Sequence, residues 1–221
     1  MLVNGSEQRA RWTARHCSAQ ANEKPSPFVV RALVSLGAPH TAAVPSSPPR
    51  ALDLACGRGR HALLLARSGY HVEAVDFALP ALTSLAARAR AAGLRVDCVA
   101  ADATTWPVPR SRYALVVVVS FLERALFAAL RDAVQPGGAL VMETFLRGQE
   151  HAGHPKNPAY LLRPGELAQE LSTWIILDAH EGCTERDGRP VMLAGIVARK
   201  PTPVSGQGID MPGTFRSTPP P

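Results

Sequence analysis

Three carboxylates, Asp53, Asp76 and Asp102, stand at the ends of three predicted strands, and a glycine turn, Gly57-Arg58-Gly59, follows the first of them. A carboxylate in such a place accepts hydrogen bonds from ligand hydroxyls or amines and attracts positive charge. Glycines let the main chain approach a ligand closely. The first N–H groups of the helix that follows then face the ligand unpaired. An acid roughly 20 positions beyond the turn, where Asp76 stands, suits the two hydroxyls of a ribose. The set describes a cradle for a nucleoside-bearing ligand.

Dinucleotides and S-adenosylmethionine both use a strand, glycine turn and helix. Gly57-x-Gly59-x-x-Ala62 satisfies the loose dinucleotide spacing. Asp53, four places before Gly57, argues the other way: a carboxylate there repels an anionic pyrophosphate and suits a ligand carrying an ammonium and a sulfonium. A capping role for Asp53 at the strand end, and a turn-forming role for Asp102, stand beside these readings.

The elements that position these acids alternate strand and helix, as a parallel sheet requires. Strands are predicted over 51–55, 70–75, 95–100, 113–119 and 139–145, with helices over 60–67, 79–92 and 123–133. A short helix over 166–171 and an antiparallel pair, 174–180 and 191–199, joined around Asp187-Gly188, complete the core. Ahead of it, Pro25-Ser-Pro-Phe28 opens a helix over 28–36. The chain divides into an N-terminal helical lid (1–37), a proline-rich linker (38–50), a core (51–200) and a tail rich in Pro, Gly, Ser and Thr (201–221) expected to be disordered.

Leu52-Asp-Leu-Ala-Cys-Gly-Arg-Gly-Arg60, continuing through Gly69-Tyr-His-Val-Glu-Ala-Val-Asp76, resembles the first two motifs of the class I S-adenosylmethionine-dependent methyltransferases. It is most similar to the small bacterial branch that includes the tellurite-resistance methyltransferases and is related to thiopurine methyltransferase. The resemblance runs from about Trp12 to Arg199. It implies an α/β Rossmann-like sheet of seven strands in the order 3-2-1-4-5-7-6, the last antiparallel, with helices on both faces. It implies S-adenosyl-L-methionine as cofactor. Ala55 and Gly57 would lie under its methionine part, Gly59 would pack turn against helix, and Arg60 would hold the carboxylate, although it equally suits an exposed helix start. Asp76 and Phe77 would face the ribose, Asp102 and Ala103 the adenine, and Ser120 the amine. Trp12 and Phe28 match lid positions, although Thr13 and His16 depart from the acidic residue and Tyr usual there; Trp12 equally suits an anchor for an N-terminal helix.

Acceptor-side candidates follow the fourth and fifth strands. In Ser120-Phe-Leu-Glu-Arg124, Glu123 is a candidate base and Arg124 a candidate anion ligand, set against a plain helix start. Phe145, Arg147, Asn157 and Tyr160 are candidates for the substrate side. Methyl transfer needs alignment and exclusion of water more than a dedicated catalytic group. His151-x-x-His154 has no further ligand nearby, so no metal is expected.

Composition excludes other classes. The chain has 221 residues, 46% of them hydrophobic. That supports one domain. No apolar run approaches the ~20 residues of a membrane span, and no signal peptide is expected. Four scattered cysteines fit a reducing cytoplasm. The formal charge of +6 is spread along the chain rather than interleaved with aromatics, so nucleic acid is not the expected partner. The expected partner is a small-molecule methyl acceptor, and the protein a monomer or homodimer. The rival readings are an NAD(P)-dependent oxidoreductase, a cofactor-binding protein without turnover and an RNA methyltransferase.

Overall fold

β-Branched and leucine runs decide where the sheet forms. In a computed structural model, residues 24–37 and 48–203 are described, Asp187 excepted. Trp12, most of the proline-rich connector and residues 204–221 lie outside the described residues. The strands are β1 (Arg50–Leu54), β2 (His71–Asp76), β3 (Val96–Ala100), β4 (Tyr113–Val119), β5 (Val134–Phe145), β6 (Ile175–Arg186) and β7 (Arg189–Arg199). They lie in the order β3-β2-β1-β4-β5-β7-β6. All are parallel except β7, which is antiparallel to both its neighbours.

Alternate residues of each central strand feed two cores, because strand side chains point to opposite faces in turn. Ala51, Val72, Ala74, Val117, Val141 and Val197 pack under α1 (Pro27–Leu36), α2 (Arg60–Arg67) and α3 (Leu79–Ala91). Leu52, Val116, Val118, Leu140, Met142 and Ile196 pack against α4 (Phe127–Ala133), α6 (Glu166–Glu170) and Trp174 on the other face. Each such buried Val, Leu, Ile or Met side chain is worth about 1.5–3 kcal/mol. A short helix α5 (Gln149–Ala152) and single 3-10 turns at Arg124–Leu126 and Pro158–Tyr160 complete the described elements. Among the described residues no helix is long and apolar enough to cross a membrane.

The differences from expectation sit at element ends. Ala55 leaves β1 because its φ is already +56°. Glu123 does not begin a helix; its carboxylate caps the 3-10 turn by accepting from the Ala125 N–H at 3.3 Å. β6 runs on through the polar stretch Glu181–Arg186, whose main chain pairs with β7 whatever its side chains are. In the hairpin turn Gly188 has φ +73°.

Candidate active site

After β1 the chain makes three left-handed steps within five residues, at Ala55, Gly57 (φ +55°) and Gly59 (φ +73°). For Ala55 this costs on the order of 1 kcal/mol, a strain typical of functional turns. A Cβ on Gly59 would collide with the Leu85 side chain of α3, so glycine is also what lets α2 start this close to its neighbour. Asp76 holds the turn in place. Its Oδ2 accepts from the Gly57 N–H at 2.7 Å and its Oδ1 from the Ala78 N–H at 2.8 Å. Each oxygen keeps one further lone pair for a hydroxyl.

Asp53 lies beneath the turn and is 1% exposed. Its Oδ2 has no hydrogen-bond partner among the described residues. Burial raises its pKa to about 7, against the Ala62 N–H and the Arg60 charge that lower it; the nearby Asp76 adds to the rise. A buried carboxyl with one bare oxygen is costly by ~1–3 kcal/mol unless something binds it. A cationic ligand above the glycine turn would supply that partner, so these residues fit S-adenosylmethionine. Asp102 ends the next strand. Its Oδ1 accepts from the Thr104 N–H at 3.0 Å and the Thr104 hydroxyl at 2.8 Å, shaping the turn that buries Ala103. Phe77, half-buried, follows Asp76 directly. Arg60 opens α2 and donates to the Lys24 carbonyl at 3.2 Å.

A second polar group is assembled at the ends of β4, β5 and β6 from residues far apart in the chain. Ser120 has φ +57°, and its N–H donates to the Glu143 carbonyl at 2.8 Å. The Glu143 side chain is buried at 3% exposure inside an apolar strand. Its Oε2 accepts from the Ser26 hydroxyl at 2.6 Å and from Arg186 at 3.0 Å. Its Oε1 lies 3.9 Å from His180 Nε2. Arg186 also reaches the Ser120 hydroxyl at 3.4 Å. Ser26 is the N-cap of α1, and its N–H donates to His61 Nε2 at 3.1 Å. His61 is therefore neutral; burial first, then the charges of Arg60 and Arg186, lower its pKa to about 3.

The comparisons with known proteins follow this geometry. Residues 51–138 match the family model described as a methyltransferase domain. Over 169 residues the chain is 28% identical to hemagglutinin 1 of Eikenella corrodens, covering 70% of this chain and 56% of that one. Over 111 residues it is 37% identical to the demethylmenaquinone methyltransferase of Thermus thermophilus, covering 47% and 50%. The chain thus spans about half the length of these curated relatives. TehB from Haemophilus influenzae superposes with a TM-score of 0.62 at 22% identity, over 70% of this chain and 58% of that one. The 1,6-didemethyltoxoflavin-N1-methyltransferase of Burkholderia thailandensis, solved with its substrate and S-adenosylhomocysteine, gives 0.62 at 20% identity, over 91% and 92%.

This is the class I S-adenosylmethionine-dependent methyltransferase fold.

The remaining predicted residues lie at and after the ends of β4 and β5, in different roles. Arg124 is engaged by structure. Its guanidinium binds Glu166 at 2.6 Å and 2.9 Å and the carbonyls of Ala159 and Leu161, both at 2.9 Å. It pins the loop 158–163 to the end of β4. Burial works to raise the Glu166 pKa, but Arg124 and the Arg163 N–H hold it down at about 2. Asn157 caps a 3-10 turn through the Ala159 N–H at 3.0 Å and is exposed, as is Arg147. Phe145 ends β5 and Tyr160 closes the 3-10 turn; both are half-buried. Phe28 lies at the Glu143 cluster, its ring 4.7 Å from that of His180 at 63°.

Sequence reasoning gave no role to Ser26, His61, His180 or Arg186, nor to Glu143, although Glu143-Thr-Phe145 is a string typical of the branch that the sequence resembles. One signal was present: a Glu directly after Leu140-Val141-Met142 in a strand buried on both faces. His180 and Arg186 sit in an edge strand with no pattern to mark them.

Proposed function

We propose that the protein transfers a methyl group from S-adenosylmethionine to a small-molecule acceptor. The observation that carries this reading is the buried Asp53 carboxyl with its bare oxygen, set beneath a glycine turn that Asp76 holds from the next strand. Asp76 would take the ribose hydroxyls and Asp102 and Ala103 the adenine side. Ala55, Gly57 and Ser120 would supply main-chain contacts to the methionine part, and Asp53 its positive charge. The bound donor supplies an electrophilic methyl carbon. The chain's own residues orient the acceptor, exclude water and manage the acceptor's proton, and alignment of this kind is worth several kcal/mol.

A small acceptor is supported by the ordered elements at the ends of β4 and β5: Arg124 holds the carbonyls of Ala159 and Leu161, and Ser26 at the N-cap of α1 bonds Glu143. The toxoflavin-type relative, which is solved with a small heterocycle, agrees with this. Incubating the protein with methyl-labelled S-adenosylmethionine and a cell extract tests it. Label is expected in the small-molecule fraction; label confined to RNA or protein would contradict it.

A further inference from the structure

The two edges of the sheet are finished differently. β3 is five residues long, and its Asp97 carboxylate is held by Arg50 at 3.2 Å and by His71 at 2.8 Å. A short, charged strand is a poor template for another chain. β6 is twelve residues long and contains neither Lys nor Pro. Among the described residues β7 is its one strand neighbour, and its outward main-chain groups have no main-chain partner. Ile175, Ile176 and Leu177 run consecutively along it at 55%, 41% and 41% exposure. Leu177 sits in a bulge, with no residue opposite it in β7. An edge of this length that shows main-chain groups and apolar side chains together can add a further strand.

We infer that β6 pairs antiparallel with the β6 of a second copy of this chain, joining two seven-stranded sheets into one across a twofold axis. Identical chains meet most often about such an axis. Bonded and non-bonded pairs alternate along an antiparallel ladder, so an axis normal to the sheet must pass where a residue lies opposite its own copy. The side chains of β6 choose among these positions. An axis at Asp178 or Glu181 sets like carboxylates face to face, which is unfavourable, and one at His180 sets imidazole against imidazole. An axis at Leu177 pairs Ile175–Ala179 alone, and one at Gly182 or beyond leaves the apolar run unpaired. An axis at Ala179 sets Asp178 opposite the second copy's His180 twice over, and lays Ile175–Leu177 along the stretch Glu181–Cys183 of the other strand. The Glu181 carboxylate is turned aside there, accepting from the Gly165 N–H at 2.9 Å. The rival occupant within the chain is the segment 204–221, whose three glycines and four prolines suit a strand poorly. Antiparallel pairing points the carboxyl edges of the two sheets in opposite directions, so each copy keeps its own site.

Sedimentation of the full chain is the first arm of the test. A concentration-dependent dimer is expected, with a dissociation constant on the order of 10 µM. Ile176→Lys combined with Leu177→Lys should weaken it by about tenfold or more while the melting temperature holds, because both side chains are exposed. A monomer at ~200 µM, or a dimer indifferent to the two lysines, would overturn the inference. Removing residues 204–221 should leave the dimer in place, and its loss would contradict pairing through β6 alone. The second arm tests the axis by oxidation in a Cys183→Ser background. Ala179→Cys brings two thiols across the axis with Cα atoms about 4.5–5.5 Å apart, within disulfide reach. A covalent dimer is expected for A179C and none for Thr184→Cys, which lies five positions from the axis. No link in A179C, or equal linking in T184C, would overturn the pairing.

Discussion

The two halves of the carboxyl edge are built in opposite ways. Beneath β1 and β2 the groups are neighbours in sequence: Asp53, Ala55, Gly57 and Gly59 lie within seven residues, and Asp76 ties them down from the adjacent strand. Across β4, β5 and β6 the cluster joins Ser26, His61, Ser120, Glu143, His180 and Arg186. On the proposed reading the first half would recognise a ligand shared by a whole fold class, for which a fixed local spacing suffices. The second would face the acceptor, and its residues are recruited singly from elements that the fold brings together. On that reading cofactor use would be set locally in the sequence, and acceptor choice by long-range packing.

Substitutions can break that contrast or sharpen it. The largest effect is expected for Asp76→Ala, which strands two buried N–H groups and removes the ribose acceptor. S-adenosylhomocysteine affinity should fall about 100-fold, equivalent to ~2.7 kcal/mol, together with a loss of ~2 kcal/mol in unfolding free energy. Unchanged binding by calorimetry would remove Asp76 from the cofactor half.

In the second half, Arg124→Ala leaves the buried Glu166 with only its Arg163 contacts, and should cost about 2 kcal/mol in denaturant unfolding while leaving cofactor affinity intact. The Glu166 carboxyl titrates near 2 in the folded chain against an ordinary 4.5. Its contribution is therefore complete above about pH 4.5 and is lost as pH falls toward 2. Wild type should lose stability across that window, and R124A should lose less. A parallel acid response in both would show that the clamp is not what depresses Glu166.

Gly59→Ala should cost roughly 1–3 kcal/mol, from its left-handed backbone and the contact with Leu85. A melting temperature within a degree of wild type would show that α2 and α3 can separate. A smaller loss of affinity than in Asp76→Ala is expected for Asp53→Asn: about tenfold weaker S-adenosylhomocysteine binding, or ~1.4 kcal/mol. Because the Asp53 carboxyl is raised to about 7 from 3.8, ionising it destabilises the fold as pH rises through that interval. D53N should therefore be more stable than wild type at pH 8. Lower stability there would make Asp53 a structural cap rather than a ligand group.

How much of this was legible in the sequence follows from the same contrast. The alternation of strand and helix followed from apolar runs and glycine stops, each written within about ten residues, and the strand order from the family resemblance alone. β6 was read too short because Glu181–Arg186 has no apolar alternation; main-chain pairing with β7 forms it. Arg124 stood out for its type and position, yet it is engaged by Glu166, 42 residues away. Glu143 and His180 meet only because Gly195 lies between them in the sheet, and register of that kind is invisible along a single chain.

The most direct test of the central claim is calorimetric titration of the purified chain with S-adenosylhomocysteine, with NADH titrated in parallel. Micromolar binding of the first and none of the second is the predicted result. Binding of NADH alone would contradict the account, because it would mean that the Asp53 carboxyl tolerates a pyrophosphate and that the glycine turn serves a dinucleotide.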